Sequence, residues 1–202
     1  MKIAVVLFDG FELLDVFGPL EMFGQLPDWK IVMVADKPGP VASTQGPCAW
    51  AEESLETFVC CDVLMVPGGK GTRTLIDNPD FIRWLKRAAL GTEYLISVCT
   101  GSALLAKAGL LDSKQATSNR LAFDWVTTQG PKTLWQSDQR WVQDDKVFTS
   151  AGVSAGMDMS LAFIAHLYGQ EKAQKIADYC EYHWLADPTE IDCQSPSPGS
   201  SD

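Results

Sequence analysis

The residue best placed to do chemistry is Cys99, which stands where an apolar run ends and a helix-like run begins. Tyr94 to Val98 is short, apolar and rich in β-branched and aromatic residues, a pattern that predicts a buried strand. From Gly101, small residues and leucines continue to Lys107, and Gly109 follows as a stop signal, which predicts a helix. A residue on the tight turn between the two is pushed up with its sulfur beside the free N–H groups of the new helix, the logic of a nucleophile elbow. Gly101 and Ser102 supply the small side chains such a turn requires. A helix N-terminus favours an anion, so the expectation is a thiol pKa lowered toward neutrality. From this local pattern two readings stand open: a reactive thiolate, or a buried cysteine acting as a small hydrophobe.

The surrounding elements must hold that thiol in place, and they alternate. Lys2 to Phe8, Trp29 to Ala35, Val63 to Val66 and Tyr94 to Val98 read as strands. Phe11 to Phe17 has helical spacing, and the Gly18-Pro19 pair is expected to break it before a second short helix, Leu20 to Phe23. Lys37 to Pro40 reads as a loop. Asn78-Pro79 opens a helix that runs to Leu90, and Arg120 to Thr128 is another, stopped by Gly130-Pro131. Thr133 to Phe148 looks antiparallel, with Asp144-Asp145 as its turn. Val153 to Tyr168 is apolar nearly all round and reads as a central buried helix, capped by Gly169. Glu171 to Trp184 reads as the last helix.

Strands alternating with helices predict an α/β fold: a mostly parallel sheet with helices on both faces. Ligands bind such sheets beyond the carboxyl ends of the strands. Three pieces are expected there: the segment carrying Glu12 and Asp15, the Pro67-Gly68-Gly69 turn, and Cys99-Thr100. Backbone N–H groups of Gly68, Gly69 and Thr100 are the kind that bind an oxyanion.

Composition narrows the function. At 202 residues one domain is the default, taken here as 1–188, with a tail over 189–202 that is Pro/Ser/Gly-rich from Ser195 on and reads as disordered. Hydrophobic content of 46% and charged content of 21% are ordinary for a globular chain. A net charge of −10 repels nucleic acid and anionic membranes, so neither is expected as a partner. No apolar run approaches the roughly 20 residues of a membrane span, and the N-terminus reads as a strand rather than a signal peptide. The six cysteines have no framework spacing, which fits free thiols in the cytoplasm. With only His166 and His183, no metal site is expected.

Four segments then point to a family. Phe8-Asp9-Gly10-Phe11-Glu12-Leu13-Leu14-Asp15-Val16-Phe17-Gly18-Pro19, Val66-Pro67-Gly68-Gly69, Ser97-Val98-Cys99-Thr100-Gly101-Ser102 and Ser150-Ala151-Gly152-Val153-Ser154-Ala155-Gly156-Met157-Asp158 together resemble the ThiJ/PfpI superfamily, within it the isocyanide hydratase branch. The likeness spans roughly residues 2–185. It implies a three-layer, flavodoxin-like sandwich, a homodimer, a nucleophilic Cys99, an acidic partner in Asp15 and no cofactor. It further implies an oxyanion or substrate site around Gly68, Gly69, Thr100, Asn119 and Val153. A carboxyl beside a thiolate has its pKa raised, so Asp15 is expected to be a proton donor. Glu12 is the competing acid and does not match the motif.

One position departs from the family. Many relatives carry His in an Ala-Thr-Thr-His run, where this chain has Ala116-Thr117-Ser118-Asn119. Asn cannot shuttle a proton, His166 lies in an apolar helix and His183 lies far along the chain. Amide cleavage, which needs an acid for the amine leaving group, is therefore disfavoured. Hydration of a small organic isocyanide to an N-substituted formamide needs only the thiol, one acid/base and an anion site. The alternatives are a glyoxalase acting on methylglyoxal, or a non-catalytic oxidative sensor or chaperone whose Cys99 becomes a sulfinate.

Overall fold

A computed structural model describes residues 1–189. The chain opens with β1 (Lys2–Val6), α1 (Leu13–Gly24) and β2 (Lys30–Ala35), then a hairpin of β3 (Gly39–Ala42) and β4 (Cys48–Ala51). It continues through β5 (Glu53–Ser54), β6 (Val63–Val66), the short α2 (Thr72–Leu75), α3 (Pro79–Leu90), β7 (Tyr94–Val98) and α4 (Gly101–Lys107). After β8 (Gln115–Ala116), a 3₁₀ turn over Arg120–Ala122 leads into α5 (Phe123–Gln129) and β9 (Leu134–Trp135). The last elements are β10 (Trp141–Asp144), β11 (Val147–Ser150), α6 (Ala155–Tyr168) and α7 (Gln170–Tyr179).

Seven strands form one sheet in the order β10-β11-β7-β6-β1-β2-β5. Every neighbouring pair is parallel except β10–β11. All residues of β6, β7 and β11 are buried, which is why their sequences run apolar or small without alternation. The β1→β2 and β6→β7 connections run in opposite directions across the sheet. Right-handed crossovers therefore put α1 and α3 on opposite faces. Helices α1, α6 and α7 pack together on one side, and α2, α3 and α5 gather around α4 on the other. This is the three-layer, flavodoxin-like α/β sandwich expected from the sequence. Phe163 of α6 sits at the centre of one layer, with ring centroids 4.9 Å from Phe148 and 5.1 Å from Tyr94.

Several elements differ from expectation for local reasons. Helix α1 runs straight through Gly18-Pro19 instead of breaking there. Proline costs a helix one hydrogen bond and crowds the preceding turn, but here packing on α6 holds the helix together. Gly18 lies against Met157, and the Pro19 ring faces Gly156. The Lys37–Pro40 loop is shorter than expected, because Gly39 already starts the β3–β4 hairpin. In the antiparallel region only β10–β11 behaves as expected, with Asp145 at φ 54 in the turn; Leu134–Trp135 instead pairs with β8 in parallel. Helix α7 stops at Tyr179 rather than Trp184, since Tyr182, Trp184 and Leu185 all bond to Asp158 and draw the chain out as a strap. Among the described residues no helix is long and apolar enough to cross a membrane. Residues 190–202, with the Ser195–Asp202 tail, lie outside the described part.

Candidate active site

The strands β1, β6 and β7 are parallel, so their carboxyl ends lie side by side where the connections reverse direction across the sheet, and Asp15, Gly68 and Cys99 meet there. Cys99 has φ 56, a left-handed conformation that β-carbon sterics disfavour. Its surroundings over-determine it. Its N–H donates to the carbonyls of Ser150 and Ala151 at 3.2 and 3.0 Å. Its carbonyl accepts from Ser102 Oγ at 3.1 Å and Ser118 Oγ at 2.9 Å. Helix α4 can start so close to β6 only because residue 101 is glycine, where a β-carbon would stand 2.1 Å from the Val66 oxygen. The strand-turn-helix elbow expected at Cys99 is present.

Asp15 lies in the first turn of α1 and is completely buried. Gly68 N–H donates to its Oδ2 at 2.9 Å, while Oδ1 is buried without a conventional hydrogen-bond partner. The Cys99 thiol bears on the same carboxyl. Burial, reinforced by the neighbouring Glu12, pushes Asp15 up to about 7, against the Gly68 N–H. The rise was expected; its main cause is burial rather than a neighbouring thiolate. Glu12, the competing acid, is the N-cap of α1 and accepts from Gln45 Nε2, away from the sulfur.

The thiol moves opposite to expectation. Burial, then the Asp15 charge, push Cys99 up to about 12, against the Thr100 N–H, the Thr100 hydroxyl and the Asn119 amide. A helix of seven residues adds one useful N–H but cannot outweigh loss of water and an adjacent carboxylate. The two groups titrate as a pair and, between about 7 and about 12, hold one proton between them.

The remaining expected residues divide into two groups. Thr100 and Asn119 face the sulfur; Asn119 Oδ1 accepts Ala122 N–H at 3.1 Å, which leaves its Nδ2 as the donor toward Cys99. The N–H groups of Gly68 and Gly69 are already engaged, the first by Asp15 and the second by Thr100 Oγ1 at 3.1 Å. Gly68 instead lends its lack of a side chain: a β-carbon there would come within 2.8 Å of Cys99 Cβ and 2.6 Å of Thr100 N. Val153 lies two residues beyond Ala151, with φ 22. His166 is at the other end of the sheet, 3.2 Å from Gln143 Nε2 and packed on Tyr94 and Phe148; His183 is exposed on the strap.

Sequence reasoning missed Thr72, Ser118 and the pair Arg140–Asp158. Thr72 Oγ1 lies 3.1 Å from Thr100 Oγ1 and braces it. Ser118 was visible beside Asn119 but carried no signal of its own. Asp158 falls inside the fourth family segment, and Arg140 Nη2 reaches its Oδ2 at 2.6 Å. A cavity of about 400 Å³ opens at the ends of β1 and β2, lined by Leu7, Phe8, Val41, Leu75 and Phe81; it does not include Cys99 or Asp15. Among the described residues no group of three or more His, Cys, Asp or Glu could hold a metal ion, and the five described cysteines are free.

Comparison with known proteins bears on this site. The DJ-1/PfpI family model matches residues 1–166. The chain is 32% identical over 182 residues to an isonitrile hydratase of Pseudomonas putida, spanning 90% of this chain and 78% of that protein. It is 30% identical over 180 residues to the HTH-type transcriptional regulator CdhR of Pseudomonas aeruginosa, but spans only 52% of that protein. Among solved structures, a ThiJ/PfpI family protein from Pseudomonas syringae superimposes with TM-score 0.84 at 31% identity, covering 99% of this chain and 78% of that one.

Proposed function

The chain belongs to the DJ-1/PfpI family, and on that premise we propose that it is a cofactor-independent cysteine enzyme that hydrates a small organic isocyanide to an N-substituted formamide. The observation that carries this reading is Asp15: buried, with one oxygen unsatisfied, beside Cys99, and poised at about 7. The family and the isonitrile hydratase likeness support an enzyme of this kind.

The shared proton defines the chemistry. With the proton on Asp15, Cys99 is the thiolate, and its sulfur adds to the terminal carbon of R–N≡C. Asp15 delivers its proton to that carbon, giving the thioimidate R–N=CH–S–Cys99. The Asp15 carboxylate then takes a proton from water as the oxygen attacks the same carbon and passes that proton to the nitrogen, giving R–NH–CH(OH)–S–Cys99. Collapse breaks the C–S bond, returns the hydroxyl proton to Asp15 and leaves R–NH–CHO with the Cys99 thiolate restored; the sum is isocyanide plus one water. The Thr100 N–H and the Asn119 amide are the donors placed to steady charge on the adduct, with Gly68 and Gly69 shaping the floor and Val153 the wall.

The reading includes a small-molecule substrate, a cytoplasmic location and a homodimer, with no nucleic-acid partner. The free thiols fit a reducing compartment, and the apolar pair Leu14 and Phe17, 40% and 41% exposed on α1, offers a surface for a second copy. Light scattering tests the dimer. The activity is tested by offering p-nitrophenyl isocyanide, methylglyoxal and a peptide to the wild type and to Cys99→Ala. Formamide release by the wild type alone is the expected result. Lactate from methylglyoxal, or one oxidant consumed per thiol with no turnover, would replace this reading with the glyoxalase or the sensor.

A further inference from the structure

Arg73 is an arginine whose charge nothing described in the molecule answers. It is exposed on α2, yet no acidic side chain among the described residues lies within ion-pair distance of it. It lies instead on an aromatic face, its Cζ 3.3 Å from the centre of the Trp125 ring. Its partial loss of water pushes its pKa down, with no carboxylate to oppose it. This is unusual company in a chain with 26 acidic and 16 basic residues.

The stack bridges two walls of the Cys99 site. On one side, Thr72, the neighbour of Arg73, reaches within 3.1 Å of Thr100 Oγ1, and Thr100 follows the nucleophile. On the other, Trp125 lies in α5, just beyond the 3₁₀ turn that Asn119 caps and from which Asn119 faces the sulfur. These two links tie the stack to the same end of the sheet as the sulfur. Stacking occupies the face of a guanidinium and leaves the N–H fork on its edge free for a carboxylate. The ring also restricts the side chain, so less freedom is lost when an anion binds. Elsewhere the net charge of −10 discourages anions, so a local cation would decide whether one enters.

We propose that Arg73, held by Trp125, is a specificity-determining residue that receives a carboxylate on the substrate reacting at Cys99. Resting on the proposed isocyanide chemistry, this makes the substrate class an isocyanide bearing a carboxylate several bonds from its reactive carbon.

The test compares 4-isocyanobenzoate with its methyl ester in the wild type, Arg73→Gln and Arg73→Lys. The wild type is expected to favour the acid in kcat/KM, a preference that weakens with added salt. Arg73→Gln should cut the acid-to-ester ratio by about tenfold or more; Arg73→Lys should keep part of it, as a charge without the fork. An unchanged ratio in Arg73→Gln overturns the inference while leaving isocyanide hydration standing. If the wild type hydrates neither compound, the isocyanide reading fails and the anion site is tested separately. Alkylation of Cys99 by N-bromoacetyl-β-alanine and by its methyl ester is then followed by mass spectrometry. A fall in the acid-to-ester rate ratio in Arg73→Gln supports the site, and an equal ratio in both proteins rejects it.

Discussion

Among the described residues two aspartates are fully buried, on helices that pack against each other, and they are treated in opposite ways. Asp158 is surrounded by donors: Arg140 Nε at 2.7 Å and Nη2 at 2.6 Å, the Tyr182 hydroxyl at 3.0 Å and the Leu185 N–H at 3.0 Å. Asp15 has the Gly68 N–H and, beyond it, the thiol of Cys99. Burial raises both carboxyls, but only at Asp158 does an arginine oppose it. A buried charge that is paired and hydrogen-bonded is a fastener. A buried carboxyl left short of donors holds a proton it can give up, which is a property of reactive sites. The fastener also serves the site: Arg140 N–H bonds to Pro188 O, Ala151 N–H to Arg140 O, and Cys99 N–H to Ala151 O.

The comparison breaks most visibly under parallel substitution. Asp158→Asn leaves the nearly buried Arg140 without its counter-charge and should destabilise the fold by about 3 kcal/mol, read as a lower urea midpoint. Asp15→Asn keeps the shape and the bond from Gly68, so the fold should survive, while turnover falls on the order of 10²–10⁴-fold. Cys99→Ala should abolish turnover outright. If Asp15→Asn proves the less stable protein and Asp158→Asn the less active, the two roles are reversed.

A second effect concerns pH. The Asp15 carboxyl titrates at about 7 in the folded chain and near 3.9 unfolded. Between these values the folded state binds more protons, so this group's contribution to stability is greatest at low pH and is lost as pH rises to about 7. Asp15→Asn removes the dependence. Its stability relative to wild type should grow between pH 4 and pH 7 by about 4 kcal/mol, then level off. Denaturant titrations at several pH values measure it; a difference that is flat with pH contradicts the buried acid. The same substitution removes the charge facing Cys99, so thiolate absorbance in the ultraviolet should appear at lower pH than in wild type, by roughly a unit or more.

Much of this was legible in the sequence, and the gaps have physical causes. The elbow could be read because strand, turn and helix each leave local marks around Cys99. Asp15 could be placed by motif, and its buried position follows from the flanking apolar residues. The direction of the Cys99 shift could not be read, since it depends on how much water reaches the sulfur, a sum over residues distant in the chain. The Gly68 and Gly69 N–H groups were visible as donors, but their partners, Asp15 and Thr100, are set by packing. Helix α1 defeated the proline rule because Pro19 meets Gly156 of α6, 137 residues later, and Gly18 meets Met157 beside it. Arg140 and Asp158 lie 18 residues apart, and nothing local couples them.

Smaller effects sharpen the line between this site and a Cys–His one. Asn119→Ala removes the amide facing the sulfur and the cap on the 3₁₀ turn, so a loss of about tenfold in turnover is expected, with about 1 kcal/mol of stability. The smallest effect belongs to the histidines. His166 packs against Tyr94 and Phe148, at the ends of β7 and β11 remote from Cys99, and its Nδ1 lies 3.2 Å from Gln143 Nε2. His183 is exposed on the strap. From the far end of the sheet His166 cannot reach a substrate bound to the sulfur, and His183 makes no contact with Cys99 or Asp15 among the described residues. His166→Gln and His183→Gln should therefore leave kcat and its pH profile as they are, although His166→Gln can lower the melting temperature by a few degrees through lost ring packing. A collapse of turnover in either variant, with unchanged circular dichroism, would mean that the second proton carrier is a histidine and that Asp15 is no more than a buried neighbour of the thiol.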